Sequence, residues 1–315
     1  MSLENNPNIL SITISFFIRL QFLIPIFHQI YFYSSEVRRS TVLNYQQKQK
    51  IRALFVTDNY FKQVNNRVFT SSQYSSQTWD VYLTVFDELT VVGRKVKDEP
   101  IDSSDYIAES SRDKVNFAFV PNLSGIRGQL GNRLVARKIV KDAVAQSDVV
   151  IARLHCETGL LAILEARAQG KRWCVEVVSC AWDALWNYGN LRARCYAPIM
   201  YLRTKRTISR APNALYVTKA FLQSRYPSSS GQMYECSDVD LQPSDLSVLE
   251  TRIQKIERSD SPLVLGLIGS PALRYKGIQT VLAALEIAQS DLPHVIFRVL
   301  GPGNKSLWRK RIANH

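Results

Sequence analysis

A chain of 315 residues with 46% hydrophobic content can bury a sizeable core, so it is not a disordered polymer, and its length suits two domains or one and a fraction. Forty Lys and Arg against 27 Asp and Glu leave a formal charge of +13, which favours an anionic partner: nucleic acid, a nucleotide diphosphate or an acidic membrane surface. The five cysteines, Cys156, Cys174, Cys180, Cys195 and Cys236, form no CxxC pair and read as buried thiols in a reducing compartment, and four scattered histidines with no Cys/His spacing point to no protein-held metal.

Leu10 to Phe27 (LSITISFFIRLQFLIPIF) approaches the length of a membrane span, but Arg19, Gln21 and Pro25 interrupt it and no small-residue cleavage site follows. It reads as an interfacial anchor, a poor transmembrane helix or an extension ahead of the fold. With the polar stretch Ser34 to Lys50 it makes an N-terminal segment, residues 1–50.

From Ile51 short apolar runs alternate with amphipathic stretches, the pattern of βα units on a parallel sheet. Strands are expected at Arg52 to Thr57, Glu88 to Val92, Asn116 to Val120, Asp148 to Ala152, Arg172 to Val178, Ala214 to Thr218 and Gln232 to Glu235. Thr158 to Gln169 presents Leu161, Ile163, Leu164 and Ala168 on a broad apolar face, and Gly170 closes that helix. A Rossmann-like domain over 51–236 follows from this alternation. Residues 237–261, polar apart from a short helical stretch, read as a linker. Beyond it, strand Leu263 to Ile268, helix Ile278 to Ser290 and strand Val295 to Leu300 make one βαβ unit, the first part of a second domain over 262–315.

The stretch Gly269 to Ile278 (GSPALRYKGI) joins a buried strand to a helix and carries Arg274 and Lys276 ahead of the helix start. In an open α/β sheet, ligands bind beyond the carboxyl ends of the strands, and a helix N-terminus offers free N–H groups to an anion. Gly269 admits close backbone approach, and the two cations would neutralise a diphosphate. An ordinary turn with two solvated cations is the competing reading. The second strand ends in GPGN, with Gly301 and Gly303 on the same sheet edge.

In the first domain, Asp183 follows a strand and is flanked by Trp182 and Trp186, an arrangement that can bind a sugar hydroxyl and cover its apolar side. A helix cap beside core tryptophans is the alternative. Arg153 and His155 follow another strand, where His155 could orient an acceptor or assist proton transfer. Asp58, Asn59 and Tyr60 follow the first strand, so Asp58 and Asn59 are further acceptor-side candidates. Leu191 to Arg210 interleaves Arg192, Arg194, Arg203, Lys205, Arg206 and Arg210 with apolar residues, as a helix lying on anionic lipid or a solvated face would.

The order IGSPALRYKGIQTVLAALEIA, a strand, then LGPG resembles the opening of the donor domain in retaining glycosyltransferases of family four, which have the GT-B fold. VEVVSCAWDALWNYGN (Val175 to Asn190) and YVTKAFLQSRYP (Tyr216 to Pro227) are similar to bacterial members that build capsule, O-antigen or exopolysaccharide repeats. The resemblance covers about Ile51 to the C-terminus. It implies an α/β, GT-B-like chain: a complete acceptor-side domain, then a donor-side domain cut short.

Its implied activity is retaining transfer of a sugar from a nucleotide-diphosphate donor to a lipid-linked or saccharide acceptor, at the inner face of the cytoplasmic membrane, with no cofactor. Lys276 matches the lysine of the family's KG motif, beside Gly277, and Gly269 the glycine ending the first donor-domain strand. Ser270 stands where an arginine is common, and His155 where proline is common. The family's EX7E carboxylate region would lie after the second donor-domain strand. Glu157 and Glu165 imitate its spacing but sit in the first domain on a helix. Two other readings are a truncated, catalytically silent relative and, from charge alone, a nucleic-acid-binding protein. The latter lacks helix-turn-helix or zinc-finger spacing, so no specific nucleic acid is expected. A dehydrogenase would need GxGxxG after the first strand, which is absent.

Overall fold

The computed structural model describes residues 50–71, 74–96, 108–123, 125–229, 231–238, 245–257, 262–271, 274–288, 290–292 and 294–301. The apolar stretch Leu10 to Phe27 lies outside them, as do Gly303 and the side chain of Arg274. The chain divides into two compact units, 1–180 with 201–240 and 181–200 with 241–315. This departs from a single boundary after residue 236: the segment that follows the fifth expected strand is grouped with the later part of the chain.

The first unit is built on parallel strands β1 (Arg52–Val64), β3 (Glu88–Lys95), β5 (Val115–Val120), β6 (Val149–Leu154), β7 (Arg172–Val177), β8 (Asn213–Tyr216) and β9 (Gln232–Glu235). Their spatial order is β5-β3-β1-β6-β7-β8-β9, with every neighbouring pair parallel. The order reverses between β1 and β6, the topological switch point of a Rossmann-like sheet. The expected α/β class therefore holds. Two short strands, β2 (Arg67–Thr70) and β4 (Ala108–Glu109), add an antiparallel flap that the sequence pattern did not reveal.

Each residue of β6 is buried, as expected of a central strand with helices or core on both faces. One face is covered by α2 (Gly125–Ala145) and α3 (Glu157–Ala168), which pack against each other. The sulfur of Cys156 accepts the Gly159 N–H at the start of α3, and Gly170, at φ +63, takes the left-handed conformation just past its end. The other face holds an aromatic core around Phe55, Tyr74, Trp79 and Tyr82, the last from α1 (Asp80–Leu83). Tyr74 and Trp79 stack at 5.7 Å and 14°, and Trp79 donates to the Ser110 carbonyl at 2.9 Å, so its buried indole N–H is satisfied.

β1 runs to Val64, not to the expected Thr57. A register shift between Val56 and Tyr60 lets it continue along β3 while its far half pairs with β2. Asp58, Asn59 and Tyr60 thus lie within the strand, where Arg94 meets Asp58 and Tyr60 and Thr70 meets Asn59.

The remaining helices are α4 (Ala181–Trp186), α5 (Leu191–Ile208), α6 (Phe221–Arg225), α7 (Leu246–Glu257) and α8 (Ile278–Ile287). The division between the units falls inside α5. In the second unit, β10 (Leu263–Ile268) and β11 (Val295–Leu300) are parallel and in register from Leu263↔Val295 to Ile268↔Leu300, joined through α8. This is the expected βαβ unit. Cys195, read from sequence as buried, is exposed. It sits on α5 opposite the buried side of that helix, which carries Ala197, Met200, Thr204 and Ile208.

Candidate functional site

At the switch point of the first unit, polar groups gather at the register shift in β1 and at the carboxyl ends of β3 and β6. Asp58 Oδ2 lies 3.1 Å from the Arg94 guanidinium, and Arg94 Nε donates to the Asp58 carbonyl at 2.6 Å. Arg94 also donates to Asn122 Oδ1 at 3.1 Å and lies 3.9 Å over the Tyr60 ring, so the guanidinium is fixed from several sides. Asp58 Oδ1 is buried with no hydrogen-bond partner among the described residues. Burial pushes the Asp58 carboxyl above its ordinary range, and Arg94 opposes that rise.

His155 follows β6 directly, and the Leu154–His155 peptide is cis. Its Nδ1 lies 3.1 Å from Ser179 Oγ and 3.4 Å from the Ser179 carbonyl. In the tautomer that donates Nδ1–H to that carbonyl, Nε2 carries the lone pair. Burial holds the His155 pKa below its ordinary 6.5, against the pull of Ser179 and Asp58, so the ring is neutral at physiological pH. An orphan carboxyl oxygen and a neutral imidazole lone pair both accept hydrogen bonds. Together they suit a ligand that brings hydroxyl donors and disfavour a phosphate.

Arg153, expected to face an acceptor, is committed to the protein interior. It pairs with Glu176 at 3.2 Å and Asp238 at 2.6 Å, and Tyr82 donates to Glu176 at 2.6 Å. Burial works against its charge, yet Tyr74, Glu176, Tyr82 and Asp238 hold its pKa above the ordinary value. Asn59 likewise serves the fold, donating to Thr70 Oγ1 at 3.2 Å and so tying β1 to β2. Glu157, in the first turn of α3, accepts from Arg203 at 2.5 and 3.1 Å, a structural pairing consistent with an EX7E-like spacing that comes from helical periodicity.

The second unit brings together the other candidates. Gly269 and Gly301 leave the carboxyl ends of β10 and β11 side by side: a Cβ on Gly301 would sit 2.3 Å from the Gly269 carbonyl oxygen. The Lys276 stem lies over Gly269, 3.0 Å from where a Cβ would be, and its Nζ is 5.4 Å from the Tyr275 ring centroid. Ser270 follows Gly269 in the turn, and the backbone of Arg274 to Lys276 forms a single 3-10 turn. Gly277, at φ +81, then caps α8 in the left-handed conformation. A cation on a short turn, two glycines and a helix start thus share one sheet edge. Trp182 and Asp183, expected in the first domain, are grouped with this second unit. Trp182 stacks on Trp186 at 5.1 Å and 12°, and the Asp183 carbonyl accepts from Asn187 at 2.9 Å.

No family model matches the chain. It is similar to protein CapJ of Staphylococcus aureus, 25% identical over 257 residues, a match that takes in 80% of this chain and 62% of that protein. The chain therefore spans less than two thirds of the curated relative's length. Among solved structures it is similar to a UGT transferase from Siraitia grosvenorii in complex with UDP (TM-score 0.45, 14% identity, 81% of this chain and 74% of that one). It is also similar to sucrose-phosphate synthase from Thermosynechococcus elongatus (TM-score 0.45, 14% identity, 84% and 67%) and a UDP-N-acetylglucosamine 2-epimerase, described as putative, from Listeria monocytogenes (TM-score 0.43, 13% identity, 84% and 66%).

Arg94, Asn122 and Ser179 are the site residues that sequence reasoning passed over. Arg94 carries the signal that selected Asp58, a charge just beyond an apolar run. It follows Val92, where the expected strand stopped, by two residues. Nothing local marks Asn122 or Ser179, whose roles come from neighbouring strands.

Proposed function

We propose that the chain is a nucleotide-sugar-dependent glycosyltransferase of the retaining, family-four type, acting in bacterial polysaccharide biosynthesis on a lipid-linked or saccharide acceptor. The observation that carries this reading is the edge where Gly269, Gly301, Lys276 and the start of α8 converge. Departure of a nucleoside diphosphate builds negative charge, and a lysine with backbone N–H groups at a helix start is an arrangement that stabilises it. Gly301 lets the turn after β11 close on the Gly269 backbone, and Gly269 lets the Lys276 stem lie against it, which gathers these groups at one edge. The similarity to CapJ and the sequence resemblance to capsule-type enzymes support the same assignment.

In this reading the hydroxyl-seeking pair Asp58 and His155 belongs to the acceptor side. Trp182 and Asp183 would assist with sugar contacts in the second unit. A second reading is a chain that holds nucleotide weakly and does not turn over, a catalytically silent relative. It is favoured by Ser270, which stands where the family commonly has an arginine.

Thermal unfolding of the full chain with a panel of UDP- and GDP-sugars tests the proposal. One nucleotide sugar is expected to raise the midpoint saturably, and Lys276→Ala to abolish the rise without lowering the unliganded midpoint. Binding followed by sugar transfer to a lipid-linked acceptor separates the active enzyme from the silent relative. No response to any nucleotide sugar would refute the donor assignment.

A further inference from the structure

α5 has two apolar sides, and among the described residues only one of them is covered. Ala197, Met200, Thr204 and Ile208 recur at three- and four-residue spacing and are buried. On the opposite side, Leu191, Cys195, Ile199 and Leu202 recur at the same spacing and face solvent. Leu191 is 75% exposed, Ile199 53% and Leu202 58%. At about 100° per residue, Arg192 and Arg203 flank this strip on one margin and Arg194 and Lys205 on the other, with Arg206 near its C-terminal end. Leu191–Ile208 contains no Asp or Glu.

We infer that α5 is the element by which this protein lies on an anionic lipid bilayer. The outward strip enters the boundary between headgroups and acyl chains, and Arg192, Arg194, Lys205 and Arg206 meet the lipid phosphates, while Arg203 stays with Glu157. Charge complementarity selects this occupant: an all-cationic margin needs an anionic partner, while the apolar strip between needs hydrocarbon. A nucleic acid backbone supplies the first but gives Leu191, Ile199 and Leu202 nothing to contact.

The helix is already formed and anchored, since Arg203 pairs with Glu157 in α3, so binding pays no folding entropy. Trp186, 42% exposed, lies beneath the Arg194 guanidinium at 5.9 Å and accepts from Arg194 through its carbonyl at 3.3 Å. It extends the strip with a side chain suited to the headgroup level. This surface stands independently of the sugar-transfer reading.

The native thiol of Cys195 sits within the strip, and the other four cysteines are buried, so an environment-sensitive fluorophore can be placed there alone. The full labelled chain is mixed with vesicles of phosphatidylcholine, with or without about one third phosphatidylglycerol, as in the anionic leaflets for which such helices are known. A blue-shifted, brighter emission is expected only with the anionic vesicles and is reversed by added salt. Ile199→Glu with Leu202→Glu removes the shift, and Lys205→Glu with Arg206→Glu weakens partitioning about tenfold or more. Unshifted emission overturns the inference even if the chain sediments with vesicles, because the contact then lies elsewhere, as on Leu10 to Phe27. An equal shift on neutral vesicles or on duplex DNA overturns it as well.

Discussion

Gly277 and Gly301 show how much the proposed donor edge asks of single residues. At φ +81, an alanine in place of Gly277 enters the left-handed region at a cost of about 1–2 kcal/mol. Gly301→Ala meets a harder obstacle, because its Cβ would lie 2.3 Å from the Gly269 carbonyl oxygen and one backbone must move. Gly301→Ala is expected to weaken nucleotide binding more than Gly277→Ala, as measured by titration calorimetry. His155 is predicted to leave a signature in pH. Its folded pKa is depressed, so the unfolded chain binds the proton more readily, and this contribution to stability is present above about 6.5 and lost as pH falls through that value. In His155→Gln this acid-side loss disappears from denaturant midpoints measured between about pH 7 and 5. Asp58 works in the opposite sense: its raised pKa favours the folded state at low pH, and that contribution is lost as pH rises through the folded value.

At the scale of elements, β6 and the βαβ unit of β10, α8 and β11 were legible because their apolar runs are continuous and their glycines stand at the turns. β1 was not. Asp58 and Asn59 read as the start of a loop, and only Arg94 on β3 and Thr70 on β2 make them strand residues. Gly93 belongs to the same device, since a Cβ there would meet the Phe61 ring at 2.5 Å. Gly93→Ala is therefore predicted to destabilise the first unit by about 1–3 kcal/mol, read from urea unfolding, through overpacking of the aromatic core. Arg153 misled in the other direction. A charge at a strand end suggested a ligand contact, but Glu176 and Asp238 already claim it, and Arg153→Met should cost about 3–5 kcal/mol by leaving the buried Glu176 carboxylate without its cation.

At the scale of the molecule, the alternation of strands and helices announced the α/β class, and strand order confirmed a Rossmann-like first unit. What the sequence did not disclose is that residues 181–200 group with the later chain, because that follows from contacts between distant segments. This regrouping puts Trp182 and Asp183 in the unit that carries Lys276. The net charge of +13 is likewise ambiguous as a number and informative as a pattern, with its apolar-centred stripe on α5. Among the described residues no helix is long and apolar enough to cross a membrane. The most direct measurement of the central claim is hydrogen–deuterium exchange of the full chain with and without the UDP- and GDP-sugars. The account predicts that one of these ligands slows exchange from Gly269 through the first turns of α8 and at the end of β11, and does so less in Lys276→Ala. Protection that spares this edge, or none with any ligand, would contradict it.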